Sequence, residues 1–175
     1  MLIKVASLVF FALFSVINAQ PPMNDSKCPQ NDSNCNFIFH DGVCYCFRYI
    51  PTTWAHAKET CESDGQNFLS IRDIKASTWL KFNTGSLDFW VGLHKDGDGS
   101  LRWADKPYKF DTQGFSDWGS GEPNYSTGSC VSMFTAFSES GLKPKRTWKM
   151  TDCEKKFPFI CTIPAAATQI HTVST

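Results

Sequence analysis

The stretch FWVGL, residues 89–93, combines aromatic and aliphatic side chains in a short run, which is typical of a β-strand. A second segment of this kind, Leu101 to Trp103, follows the turn-rich sequence Asp96-Gly97-Asp98-Gly99. Three more candidate strands lie towards the carboxyl end: Cys130 to Phe137, Thr147 to Met150 and Phe157 to Thr162. The irregular stretch that ends near Gly128 is long for a compact domain, and loops of that length usually carry function.

Two helices are predicted on the amino-terminal side of these strands. The first follows Pro51-Thr52-Thr53, ends near Gly65, and has apolar or small residues spaced three and four apart on one face. Those residues are Trp54, Ala57 and Cys61. Asp73 is expected to cap the second helix. The candidate buried side chains of that helix are Ile74, Thr78, Leu80 and Phe82.

A β-hairpin is predicted before the helices, because aromatic and β-branched residues from Phe37 to Ile50 surround the turn signal Asp41-Gly42. Hairpin, helices and later strands together predict an α+β domain with one large loop. At 175 residues the chain is long enough for one such domain with a sizeable core.

Both ends of the chain are expected to lie outside the folded domain, which is assigned to residues 28–163. Residues 1–19 carry Lys4 and then an apolar block, which is typical of a secretory signal peptide. As a membrane anchor this block is too short to cross roughly 30 Å of hydrocarbon. Residues 20–27 are polar with two prolines, and residues 164–175 are small and threonine-rich, so both are expected to be flexible. The mature protein is expected to be extracellular, without membrane insertion.

The charge balance and the cysteines narrow the function classes. Basic and acidic residues number 17 each, which argues against a general nucleic-acid or anionic-membrane binder. Eight cysteines in an exported chain predict four disulfides. Metal ligation is the alternative, but Cys44-Tyr45-Cys46 is the only close pair and the histidines are scattered. No nucleophile or metalloprotease motif is present, so an enzyme is not expected; His94 is interpreted as a loop residue.

Three sequons predict N-glycosylation, at Asn24, Asn31 and Asn124.

The order of particular residues then makes the chain resemble a C-type lectin domain. The matching pieces run in family order over nearly all of residues 28–163 and share the family's spacing of tryptophans and cysteines. They are Trp54, Ala57 and Cys61; Gly65, Leu69 and Ile71; Phe89 to Leu93; Trp103; Trp118; Gly121 to Asn124; Cys130; Trp148; Cys153; and Phe159 to Cys161. The resemblance implies a disulfide-bonded fold in which two helices pack on small antiparallel sheets beside a long irregular loop.

The resemblance also implies two shared disulfides, Cys61–Cys161 and Cys130–Cys153. The longer form of the family has a further bridge near the amino terminus, where this chain has four cysteines. Cys44 and Cys46 are two residues apart, so both would project from one face of a strand towards an incoming segment. This leaves two pairings open: Cys28–Cys46 with Cys35–Cys44, or Cys28–Cys44 with Cys35–Cys46.

Sugar-binding members of the family hold one calcium ion that also coordinates two sugar hydroxyls. Its ligands are a Glu and an Asn around a cis proline, a Glu just before the third shared cysteine, and an Asn-Asp pair after the tryptophan. Calcium accepts about six to eight oxygens, so hydroxyls can complete an unfilled shell. Glu122-Pro123-Asn124 matches the order that the family associates with mannose-like hydroxyl geometry.

Three of the five side-chain ligands are replaced in this sequence. Gly128 stands where the family has its second glutamate, and Lys149-Met150 replaces the Asn-Asp pair. The Lys149 ammonium would repel a divalent cation and is free to pair with Glu122. Asp152 would supply a replacement ligand only if its strand is bulged, because it lies about 6 to 7 Å further along. The turn at Glu122 would then serve only to shape the loop.

The sequence therefore predicts a secreted recognition module, with carbohydrate or a glycoprotein surface as ligand and calcium bound weakly or not at all. The candidate sugar-binding residues are Glu122, Asn124, Lys149 and Asp152, and the candidate calcium ligands are Glu122, Asn124 and Asp152. The alternative is a calcium-independent domain that binds protein or another non-sugar surface. A role in innate defence is implied by the resemblance alone, and the oligomeric state is left open.

Overall fold

The structure, a computed structural model, describes residues 27–31, 33, 35–105, 109–136 and 145–165. The expected signal peptide and most of both expected flexible ends lie outside the described residues. Within those residues the chain forms two helices and eight strands. In chain order they are β1 (Asn36–His40), β2 (Val43–Thr52), α1 (Trp54–Ser63), β3 (Asn67–Phe68), α2 (Ile74–Asn83), β4 (Phe89–Lys95), β5 (Leu101–Trp103), β6 (Cys130–Ala136), β7 (Lys145–Thr151) and β8 (Phe157–Pro164).

The strands form a single sheet, which confirms the α+β class. Its order is β1-β2-β8-β4-β6-β7, with β3 paired to β8 and β5 paired to β4. The described pairs are antiparallel except β4 with β8, which run parallel and meet at Trp90 and Phe159. The small antiparallel sheets expected from the sequence are joined into one sheet, because β4 lies between β8 and β6 and pairs with both.

Helix α1 forms as the sequence predicts. Thr53 caps it by accepting a hydrogen bond from the backbone of His56, and Trp54, Ala57 and Cys61 are its buried residues. The indole of Trp54 donates to the carbonyl of Val91 at 2.8 Å, which ties the helix to β4. No helix in the described part of the chain is long and apolar enough to span a membrane.

Helix α2 is capped by Asp73 as predicted, but Leu80 alone of its four predicted buried residues is buried. Ile74, Thr78 and Phe82 are exposed, Phe82 at 82%, whereas Leu80 and Ser77 face inwards. The Ser77 hydroxyl donates to Asp117 at 2.5 Å, and Lys81 forms an ion pair with the same carboxylate. This polar contact with the long loop lies on the inward face of the helix, whereas Ile74 and Phe82 are in solvent.

The core contains two fully buried tryptophans, and the second of them contacts the long loop. Trp90 on β4 is fully buried and donates to the carbonyl of Thr52 at 2.7 Å. Trp148 on β7 is also fully buried, and three aromatic rings lie nearly perpendicular to its ring at centroid distances of 5.6 to 5.9 Å. Those rings belong to Trp103, Phe115 and Trp118. Edge-to-face packing of this kind fixes the loop over β7.

All eight cysteines are paired in disulfides. Cys61–Cys161 joins α1 to β8, and Cys130–Cys153 joins β6 to the turn after β7, as the resemblance implies. At the amino terminus the pairs are Cys28–Cys44 and Cys35–Cys46, which selects the second of the two open pairings.

Candidate functional site

The turn Glu122-Pro123-Asn124 closes onto the edge strand β7. The peptide bond between Glu122 and Pro123 is cis. The Glu122 Oε2 atom accepts hydrogen bonds from the backbone N–H of Asn124 at 2.7 Å and of Met150 at 2.9 Å. Thr127 donates its hydroxyl to the carbonyl of Met150 at 3.0 Å. Both backbone groups of Met150 that face outwards from the sheet are thus satisfied by side chains of this loop.

Glu122 therefore has a structural role in holding the loop on β7. Glu122→Ala is expected to lower the free energy of unfolding by about 1 to 3 kcal/mol, because the Met150 N–H in the half-buried turn loses a charged acceptor. Chemical denaturation measures this. Glu154→Ala is the matched control: it removes the same charge from an exposed position nearby and should leave stability nearly unchanged. Equal stability of the two variants would contradict this role.

Gly128 occupies the place of the missing second glutamate, and the backbone leaves no room for a side chain there. Its φ is +153°, and a Cβ atom would lie 2.1 Å from the backbone carbon and oxygen of Thr151. It would also lie 2.3 Å from the backbone nitrogen of Asp152. The loop has packed against the end of β7, so a glutamate cannot occupy this position without a backbone shift.

Lys149 does not pair with Glu122, which corrects the expectation from the sequence. Its Nζ atom lies 3.8 Å from Asp88 Oδ2 and 4.3 Å from the ring centroid of Phe134. Because neighbouring residues of a strand point to opposite faces, the side chains of Lys149 and Met150 lie on different faces of β7. The loop contacts the backbone of Met150 and not the Lys149 ammonium. The structure thus places Lys149 away from the other candidate sugar-binding residues.

Asp152 does not reach the turn as a replacement ligand. The pairing of β6 with β7 runs without a register shift from Cys130 and Thr151 to Ala136 and Lys145, so the bulge that Asp152 required is absent from this described pair. Asp152 lies after the strand and accepts a hydrogen bond from the backbone of Glu154 at 3.1 Å. It caps the turn that leads to Cys153.

The acids of the Asp96 to Gly99 turn are engaged by protein groups. Arg102 lies at 2.8 Å from a carboxylate oxygen of both Asp96 and Asp98. The Ser100 backbone N–H, followed by the Arg102 guanidinium, lowers the pKa of Asp98 to about 2. Across the described residues no group of three or more His, Cys, Asp or Glu side chains is arranged to hold a metal ion.

His94 is not a loop residue as expected but belongs to β4. Its ring centroid lies 4.6 Å from that of Trp54, and burial lowers the pKa of the imidazole. The ring is therefore held neutral beside the core, where it packs as an aromatic side chain.

Comparison with known proteins shows which family has this fold. The model of the Lectin C-type domain matches residues 50–163, which is well over half of the 175 residues. The chain belongs to the C-type lectin-like domain family.

Individual relatives of this lectin-like chain differ in their overall length. The mouse protein C-type lectin domain family 4 member G is 30% identical over 129 residues, covering 69% of this chain but 41% of that protein. Human lithostathine-1-beta is 27% identical over 166 residues, covering 90% of this chain and 92% of that protein. A solved structure of a calcium-independent type II antifreeze protein covers 79% of this chain and 95% of its own, with a TM-score of 0.62 at 20% identity, and shares the fold.

Sequence reasoning placed the turn of this lectin-like domain correctly but missed what holds it. Thr127 and the backbone of Met150 carry no motif, and their role appears only when the loop lies on β7. For Gly128 a signal existed, because glycine is the residue that tolerates close backbone approach. In the sequence that position was interpreted only as a lost ligand.

Proposed function

We propose that this domain is an extracellular recognition module that binds its ligand without calcium and without a catalytic step. The observation that carries the proposal is the hydrogen bond from the Met150 N–H to Glu122 Oε2, at 2.9 Å. This bond supports the proposal because it engages the carboxylate that the family uses for calcium with a backbone donor. Four disulfides support an extracellular location, since such bonds persist in oxidising compartments.

The ligand that this geometry favours is a protein or another non-sugar surface. Calcium-mediated sugar binding needs the carboxylate and amide oxygens of the turn to face the ion. Here Glu122 Oε2 accepts two backbone hydrogen bonds, and Asn124 Oδ1 accepts from the backbone and hydroxyl of Ser126 at 3.1 and 2.7 Å. The calcium-independent antifreeze protein with the same fold supports the idea that such a domain works without the ion.

Carbohydrate is the second candidate, because the mannose-type order Glu122-Pro123-Asn124 is kept with its cis peptide bond. Glycan-array binding of the secreted protein, with calcium and then with a chelator, separates the candidates. We expect no glycan signal that the chelator abolishes. Mannose binding that is lost both in chelator and in Asn124→Ala would overturn the non-sugar proposal.

Calcium itself is expected to bind no better than the weak extracellular range of about 10⁻⁴ to 10⁻³ M, because two of the family's five ligands remain. At a calcium concentration equal to the Kd, binding would add only about 0.4 kcal/mol to the unfolding free energy. The melting temperature should therefore hardly change between calcium and EDTA. Magnesium at the same concentration is the control, and a large rise specific to calcium would contradict the proposal.

A further inference from the structure

We infer that Asn124 carries an N-linked glycan in the secreted protein, and that this glycan covers the turn at which relatives of this family would hold an external sugar. Asn124-Tyr125-Ser126 is a sequon on the exposed part of the long loop. The inference goes beyond the proposed function, because it concerns a modification of the domain rather than its ligand.

The amide of Asn124 is oriented for attachment. Its Oδ1 atom accepts from the backbone N–H and the hydroxyl of Ser126, so the planar amide is fixed with Nδ2 on the other side. Among the described residues no atom accepts a hydrogen bond from that Nδ2, and the side chain is exposed. A sugar on Nδ2 therefore breaks no contact of the folded loop.

Asn31 offers the opposite environment. Its Nδ2 atom donates to Asn36 Oδ1 at 2.7 Å, and its Oδ1 atom accepts from the backbone of Phe37 at 2.6 Å. Both ends of this amide contact residues of β1, so a glycan on Nδ2 would share that atom with an existing hydrogen bond. Asn24 lies outside the described residues. The structure thus ranks Asn124 above Asn31 as the modified position.

The transfer requires a polyprenyl-diphosphate-linked oligosaccharide, which the secretory pathway of a eukaryotic host supplies together with the transferase. The bond between the anomeric carbon and the phosphate oxygen breaks, and a bond from that carbon to Asn124 Nδ2 forms. Nδ2 loses one proton, and the polyprenyl diphosphate leaves. Neither oxidation nor reduction occurs, so no further reactant is needed.

The product would close the turn to other sugars. Asn124 is itself a candidate sugar ligand of the turn, and its backbone N–H donates to Glu122 Oε2 at 2.7 Å. A glycan attached to Nδ2 occupies the amide group that an external mannose-type ligand would need.

The test is glycopeptide mapping of the full chain secreted from a eukaryotic host, with an amidase that releases the glycan and converts Asn to Asp. We expect occupancy at Asn124 in the unchanged protein. Ser126→Ala should abolish it and remove the mass of one glycan, whereas Ser126→Thr should retain it. Ser33→Ala, the matched change in the sequon of Asn31, should lower the intact mass only by the lost hydroxyl oxygen and not by a glycan.

An unmodified Asn124 in the unchanged protein would overturn the inference, and loss of a glycan in Ser33→Ala would overturn the ranking. If Ser126→Ala is not secreted, Ser126→Thr and the unchanged protein still decide the occupancy. A negative result here can be distinguished from a negative result for the proposed function. Glycopeptide mapping measures the occupancy of Asn124, whereas the melting temperature measures calcium binding.

Discussion

Removal of the Cys61–Cys161 disulfide, by Cys61→Ala together with Cys161→Ala, is expected to lower the free energy of unfolding by about 2 to 5 kcal/mol. The two residues are 100 positions apart, and both are fully buried where α1 packs on β8. In the chain-entropy account the crosslink restricts the unfolded chain, and the effect grows with the logarithm of loop length. A loss of this size is large relative to the whole stability of a small domain, so secretion should also fall.

The matched control is the double variant Cys130→Ala with Cys153→Ala, whose bridge closes a separation of only 23 residues. On loop length alone its removal should cost about 1 kcal/mol less. Denaturation of both variants measures the difference, and non-reducing peptide mapping of the unchanged protein verifies the pairing. A larger loss for the shorter bridge would contradict the loop-length argument, and Cys61 linked to an amino-terminal cysteine would contradict the fold.

The elements defined by local sequence signals could be predicted well. Thr53 and Asp73 cap their helices because their side chains reach free backbone N–H groups, which is a local property. The hairpin forms around Asp41-Gly42 for a similar reason, since both residues have positive φ. Such signals depend on a few neighbouring residues, so they can be recognised without knowledge of the rest of the fold.

The face that a helix buries depends on its partners and was harder to predict. In α2 the apolar spacing of Ile74 and Phe82 indicates a buried stripe, yet both side chains are exposed. The deciding contact is between Ser77 and Asp117, which are 40 residues apart. The spacing of apolar residues within the helix cannot reveal a contact with a residue outside it.

The pairing of the amino-terminal cysteines depends on non-local contacts in the same way. Spacing shows that Cys44 and Cys46 share a strand face, but only the register of β1 on β2 selects their partners. Phe37 lies opposite Cys46, which brings Cys35, just before β1, to Cys46. Cys44 then remains for Cys28, further back along the chain.

The candidate site also depends on contacts between distant residues, which the sequence alone does not show. The sequence identifies which calcium ligands are missing, but it offers Glu122 as a partner for Lys149, and the structure gives Lys149 a different one. The direction of Lys149 is set by Asp88 and Phe134, which lie on other elements. Whether the missing ligands could be restored depends on the backbone at Gly128, which only the packed loop reveals.

Gly128→Ala is expected to lower the free energy of unfolding by about 2 to 4 kcal/mol, because a methyl group there adds both backbone strain and a clash. The Cβ would lie 2.1 Å from the Thr151 backbone, which cannot move aside as a flexible side chain would. Gly121→Ala is the matched control, since Gly121 also has a positive φ, of +77°, but nothing lies within 4 Å of its Cβ. It should cost only the conformational strain, about 1 kcal/mol.

The difference in unfolding free energy between these two alanine variants, measured by denaturation, gives the cost of the steric clash at Gly128. That cost decides whether the position can hold a glutamate as a calcium ligand. If Gly128→Ala costs much more than Gly121→Ala, the glutamate that relatives use at this position cannot return without displacing the end of β7. Restoring Asn and Asp at positions 149 and 150 would then still leave the site incomplete, and would place a charge at the buried position of Met150. Equal costs for the two variants would instead mean that the loop moves readily, and that Gly128→Glu is accommodated.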